Sequence, residues 1–265
     1  MNTTEQTAKK AIKLFTLLLF FASCSQVKTL TPSSRFITPE SGEDLGHGNF
    51  QLFYQTGTRA TLNATETDFE KPMNLDDGVN FSFATDINIH KKISLIYYSN
   101  GMDSAPLFGA KYQLLGPTKS KAKKGDHSLS ITLGGGAAGE VRKTSDNSGD
   151  DFFDSLDVDQ ININRNLLDL SIIHGKRLTD RVLWYSSIHL NQHKLHVSIE
   201  DDSSSLNGES VDYQTTNLGL ASGLMIYDKK GKYHFALEAS FQKTKWTKND
   251  ETQRGFINGA VGYNW

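Results

Sequence analysis

From Gly46 to Trp265, apolar and polar residues alternate with a period of two and almost nowhere with the 3.6-residue period of a helix. The clearest run is Val79-Asn80-Phe81-Ser82-Phe83-Ala84-Thr85-Asp86-Ile87-Asn88-Ile89, where every second residue is apolar apart from Thr85. The last segment repeats it: Ile257, Gly259, Val261, Tyr263 and Trp265 alternate with Asn258, Ala260, Gly262 and Asn264. Such alternation predicts strands with one apolar and one polar face. Ten are expected, at 47–60, 77–90, 92–100, 105–115, 127–142, 157–177, 181–199, 211–227, 231–245 and 254–265. The run 157–177 changes parity between Ile163 and Leu168, which predicts a bulge there. Most of these strands match or exceed the roughly 9–11 residues that a tilted strand needs to cross a bilayer.

The polar face separates two architectures. A soluble sandwich also alternates, but turns its apolar face inward and exposes long charged side chains. Here the polar face is mostly small: Asn80, Ser82, Ala84; Ser130, Thr132, Gly134, Gly136; Asn217, Gly219, Ala221, Gly223; Asn258, Ala260, Gly262. Small side chains suit the crowded interior of a narrow barrel, and the Leu, Ile, Val, Phe and Tyr of the other face suit lipid. The connections alternate as well. His90-Lys91-Lys92, Leu178–Asp180 and Asp228–Lys230 are short, with 116–126 an exception. Those at 61–76, 143–156, 200–210 and 246–253 are longer. Short periplasmic turns and long outer loops are the habit of outer-membrane barrels.

The N-terminus carries an address. Lys9, Lys10 and Lys13 precede a short apolar run from Leu14 to Phe21, as in a secretory signal. Phe21-Ala22-Ser23-Cys24 resembles the lipobox of bacterial lipoproteins, which implies cleavage after residue 23 and a lipidated Cys24; ordinary cleavage nearby is the alternative. By the same resemblance Ser25 implies sorting to the outer membrane. Residues 24–45, rich in Ser, Thr and Pro, are expected to form a flexible tether ahead of a barrel domain at 46–265. Trp184, Tyr233, Tyr263 and Trp265 at one end of the strands, and Tyr97, Tyr98, Phe108 and Trp246 at the other, would form headgroup-level belts. The closing Gly259-Ala260-Val261-Gly262-Tyr263-Asn264-Trp265 resembles the C-terminal assembly signal of outer-membrane β-barrel proteins, with Trp in place of Phe. Across about residues 46–265 the chain resembles that superfamily. The resemblance implies an all-β, antiparallel up-and-down transmembrane barrel of ten strands, with eight as runner-up. It also implies a place in the Gram-negative cell envelope, and outer-membrane lipids, lipopolysaccharide and the barrel assembly machinery as partners.

Composition narrows the functions. One Cys in 265 residues excludes an intrachain disulfide framework and a multi-Cys zinc site. A net charge of −2 points to no nucleic-acid partner. Charge is sorted between the two ends: Lys91, Lys92, Lys119, Lys121, Lys123, Lys124, Lys176, Arg177, Arg181, Lys229, Lys230 and Lys232 make the turns on the expected periplasmic side basic. Glu66, Asp68, Glu70, Asp146, Asp150, Asp151 and Asp154 occupy the long loops. The acidic loops could recruit divalent cations weakly, with Asp146–Asp159 the best candidate, though it lacks EF-hand spacing.

By parity the inward positions include Arg59, Asp86, Lys111, Glu140, Asp169, His189, His193 and Glu238. Their bland reading is a polar network filling the lumen; a path for small solutes or a catalytic set stays open. His189, His193 and His196 look like a metal cluster, but four residues along a strand is about 13 Å, too far for one ion. Gly134–Gly139 lacks the Lys-Ser/Thr of a phosphate-binding loop, so no cofactor is expected. Some outer-membrane barrels are enzymes, among them ten-stranded omptin-type proteases, phospholipases and lipid A modifying enzymes, and His189 with Asp169 could form an acid–base pair. The leading expectation is a structural or surface-interaction barrel without catalysis. A narrow channel, an envelope hydrolase and a soluble β-sandwich lipoprotein are the alternatives.

Overall fold

The computed structural model describes residues 28–32, 36–42, 45–61, 74–99, 105–143, 160–200, 208, 210–246 and 251–265. Cys24 and the Asp146–Asp159 loop lie outside them. A short strand β1 (Lys28–Pro32) precedes ten long ones: β2 (Gly48–Thr61), β3 (Asn74–His90), β4 (Ile93–Ser99), β5 (Leu107–Leu115), β6 (His127–Lys143), β7 (Gln160–Thr179), β8 (Val182–Glu200), β9 (Ser210–Tyr227), β10 (Tyr233–Trp246) and β11 (Glu251–Asn264). Each of β3 to β11 pairs antiparallel with its sequence neighbours, and β2 pairs with both β3 and β11, closing a ten-stranded barrel.

Closure favours the polar-inside arrangement, because backbone groups find partners around the wall, save at the seam where β11 pairs with only six residues of β2. The alternation is strict on β9 and β10, where odd and even positions respectively are buried without interruption. Outward positions are apolar and exposed around the wall, as at Phe81 (72%), Ile257 (71%), Phe108 (60%) and Leu133 (58%). A soluble sandwich would bury these side chains, so that alternative is set aside: the oily face looks out and the compact polar face looks in.

Inside, large side chains sit over glycines of the next strand. The His189 ring would lie 2.0 Å from a Cβ on its register partner Gly219, Tyr185 2.8 Å from one on Gly223, and His234 2.3 Å from one on Gly262. Gly136 faces the Pro106 carbonyl, 1.7 Å from where its Cβ would be, so chain 105–107 leans onto β6 there. The triplet at 134–136 is thus a packing device.

The parity change on β7 has a different cause from a bulge. Pairing with β6 and β8 is continuous from Gln160 to Arg177, and the register shifts only between Arg177 and Thr179. Odd residues point inward throughout, so Ile163 and Leu167 are interior while Leu168, Leu170 and Ile172 face out. Toward the outer end the wall rises past the apolar band, and there its outward residues are polar: Asn164, Asn166, Lys194, Asp212 and Gln214. Several interior residues at that height are apolar, Ile163, Leu195, Val197, Tyr213 and Trp246 among them, beside the Arg165–Glu140 pair.

The aromatic belts need one correction. Tyr233, Tyr263 and Trp265 are outward at the short-turn end, and Tyr97 and Phe108 are outward higher up, but Tyr98 and Trp246 are buried inside.

Candidate functional site

The segment expected to be a tether is built into the barrel. β1 pairs with the outer half of β2, Lys28 opposite Thr61 and Pro32 opposite Gly57. It takes the β2 edge that β11 leaves free, because β2 and β11 pair only over Asn49–Tyr54 and Gly259–Asn264. From there the chain runs down the lumen toward the short-turn end. Phe36 is fully buried against Phe53 (ring centroids 5.3 Å apart), which in turn packs on Tyr98 at 5.1 Å. Pro39 lies over Gly175, and its carbonyl accepts from the Ser130 hydroxyl. Ser41 N donates to Gln113 Oε1 at 2.8 Å, and Gly42 N to Asn88 Oδ1 at 3.1 Å. A segment alone in a polar lumen has no strand partner on either side, so wall side chains satisfy its backbone.

Charge fixes it further. Lys111, fully buried, donates to Asp86 Oδ2 at 2.9 Å and to the carbonyls of Glu40 (3.1 Å) and Thr38 (3.3 Å). Arg177 grips Glu40 with two bonds, Nε to Oε1 at 2.7 Å and Nη2 to Oε2. Glu40 is the residue the sequence reading missed: an acid in an aperiodic stretch, gripped by an Arg expected only as part of a basic turn.

The other inward candidates are spread over the height of the barrel. Glu140 pairs with Arg165 at 2.9 Å near the outer end. Asp169, His189, His193 and Glu238 are all at least 95% buried, with Ser171 Oγ 3.4 Å from Asp169 and Glu238 facing the Tyr185 phenol. Arg59 is on an inward position of β2, and its side chain lies outside the described residues. Asp169 and His189 are register neighbours at one remove, since His189 pairs with Ser171. They sit in mid-lumen, beneath the apolar layer and above the N-terminal segment. His196 points outward and pairs with Asp212 at 2.7 Å.

Below Glu40 the lumen opens. A cavity of about 770 Å³ faces the short-turn end. Its inner wall is Thr38, Glu40, Asp86, Arg177 and Tyr227, with Lys119 beside them donating to Asn264 Oδ1, and its rim carries Arg181, Lys229, Lys230 and Lys232. Its edge includes Tyr263 and Trp265, which belong to the outward face. The Tyr227 ring is held between two cations, Lys119 Nζ at 4.6 Å and Arg177 at 4.7 Å from its centroid. Burial pulls the Lys119 amine down to about 8, although Asp86 and Glu40 favour its charged form.

The fold is a closed ten-stranded antiparallel barrel with an apolar outer wall. No family model and no curated protein matches the chain. Among solved structures it is similar to Ail, the attachment invasion locus protein of Yersinia pestis, in complex with the heparin analogue sucrose octasulfate. That match has 13% identity and a TM-score of 0.38, over 84% of this chain and all of that one. It is also similar to the outer membrane protease OmpT of Escherichia coli, with 9% identity and a TM-score of 0.39, over 83% of this chain and 94% of that one.

Proposed function

We propose that the protein is a closed, self-plugged barrel of the outer membrane whose role is structural or one of surface interaction, without catalysis. The observation that carries this reading is the passage of the chain's own residues 36–42 down the lumen, hydrogen-bonded to the wall on several strands. Beyond that segment the outer part of the lumen is filled by Ile163, Leu167, Leu195, Val197 and Tyr213. Two obstructions in series leave little room for a solute path. They also keep substrate from His189 and Asp169, since an acid–base pair must reach the proton it moves. What remains for contact is the surface: the raised β7–β9 rim on the outer side and the basic mouth on the other.

Planar-bilayer recording tests this. The full chain should give no steady conductance, and a variant lacking residues 28–42 should open only where the outer apolar side chains Leu195 and Val197 are also cut back to Ala. Steady ion conduction by the intact chain would favour the narrow channel instead. Hydrolysis of envelope lipid or peptide that disappears in His189→Ala would favour the hydrolase.

A further inference from the structure

The cavity at the short-turn end has the makings of a binding site that the plugged-barrel reading does not use. Three independent observations converge on it. The first is charge in excess of internal demand. The acids lining it are engaged: Glu40 by Arg177, Asp86 by Lys111, Asp180 by the Lys124 amide at 3.1 Å and Asp228 by the Tyr233 amide at 3.0 Å. Among the described residues no ion pair within 4 Å is made by Arg181, Lys229, Lys230 or Lys232. The second is an orphan donor. The Tyr227 side chain is 95% buried, lines the cavity, and its hydroxyl has no hydrogen-bond partner among the described residues. Burying a hydroxyl unpaired costs about 1–3 kcal/mol, which a ligand atom would relieve. The third is the shape of the mouth. The lining includes Tyr263 and Trp265, which are exposed on the outward face at the short-turn end, where aromatic side chains suit headgroup depth.

A concave, cation-rich hollow, with an unpartnered phenol hydroxyl enclosed in its wall and aromatic residues at its edge, suits a phosphate reached from the bilayer. We infer that the cavity binds the phosphate of an anionic phospholipid headgroup from the inner leaflet of the outer membrane. Lys119 and the Tyr227 hydroxyl would meet the phosphate inside, and Lys229, Lys230 and Lys232 would guide it at the rim. Phosphate chemistry is shared by the headgroup and the free ion, so the test separates them. The assignment is independent of whether the barrel conducts.

The full chain is placed in neutral phosphatidylcholine nanodiscs doped with phosphatidylglycerol, and retained lipid is read by native mass spectrometry. Inorganic phosphate is titrated in parallel. A heat-modifiability gel confirms that each variant is folded. The wild type should retain phosphatidylglycerol over phosphatidylcholine. Lys119→Met and Tyr227→Phe, each folded by the gel, should lower retention about tenfold. Excess inorganic phosphate should compete only weakly. The triple variant Lys229→Gln, Lys230→Gln, Lys232→Gln, confined to an exposed turn, should lower it less. Retention unchanged in Lys119→Met and Tyr227→Phe but abolished by the triple variant would mean simple attraction of a basic surface to anionic lipid, and would overturn the site. Phosphate binding equal to that of the lipid, with no lipid retained, would overturn the headgroup assignment. No preference for phosphatidylglycerol would overturn the proposal outright.

Discussion

At the residue scale the interior is held by pairs whose members are worth little apart. Glu40 and Arg177 are each about 97% buried, so each has given up most of its hydration. Truncating one leaves the other as an uncompensated buried charge, which typically costs about 3–5 kcal/mol, while replacing both by apolar groups is often close to neutral. Arg177→Met should therefore lower the urea midpoint of refolding into lipid strongly, and Glu40→Met with Arg177→Met should recover most of the loss. A double variant as unstable as the single would refute this coupling. Lys119 supplies a pH-dependent counterpart. Its amine titrates near 8 in the barrel against 10.5 for a solvated lysine. Below about pH 8 both states hold the proton. Between about 8 and 10.5 only the unfolded chain holds it, so this group makes the barrel more stable as pH rises across that window. Unfolding midpoints measured from pH 7.5 to 10 should rise less steeply in Lys119→Met than in the wild type. Neither residue was legible as a site in the sequence, because what binds them together is a segment with no period to read.

At the element scale the strands were the legible part, and for a physical reason. A wall between lipid and a crowded polar lumen forces period 2 at every position, so ten runs of alternation become β2 to β11 with ends shifted by a few residues. The one misread element is instructive. The parity of 157–177 does change in composition, at Ile163 to Leu168, but the backbone continues and it is the surroundings that change from lipid to water. Alternation reports which face is apolar and not which face is inside. The seam between β2 and β11 was invisible for another reason: register is not written in a single strand. Above Tyr54 and Gly259 the two strands part, and Asn258 patches the opening by accepting from Thr56 N at 2.7 Å and from Thr56 Oγ1 at 3.1 Å. Asn258→Ala should leave that amide without its acceptor and cost about 1–3 kcal/mol. Equal unfolding midpoints for Asn258→Ala and wild type would show that the patch carries no load.

At the scale of the whole molecule, the topology fixes where the chain ahead of the barrel must begin. An even number of strands starts and ends a barrel on the same side, here the side of the short turns. A segment that merely tethered the barrel would then begin on that side. Here it does not, because Lys28 pairs with Thr61 at the outer end of β2 and the chain descends through the lumen before β2 climbs back. An epitope inserted directly ahead of Lys28 in the full chain should accordingly be labelled by antibody on intact cells. The same epitope inserted between Lys123 and Lys124, in the β5–β6 turn, should be labelled only after the outer membrane is permeabilised. If the first tag also requires permeabilisation while the protein still migrates as a folded barrel on an unheated gel, the N-terminal segment does not thread the lumen in the cell. The plug, and with it the reason for a sealed pore, would then have to be sought elsewhere in the barrel.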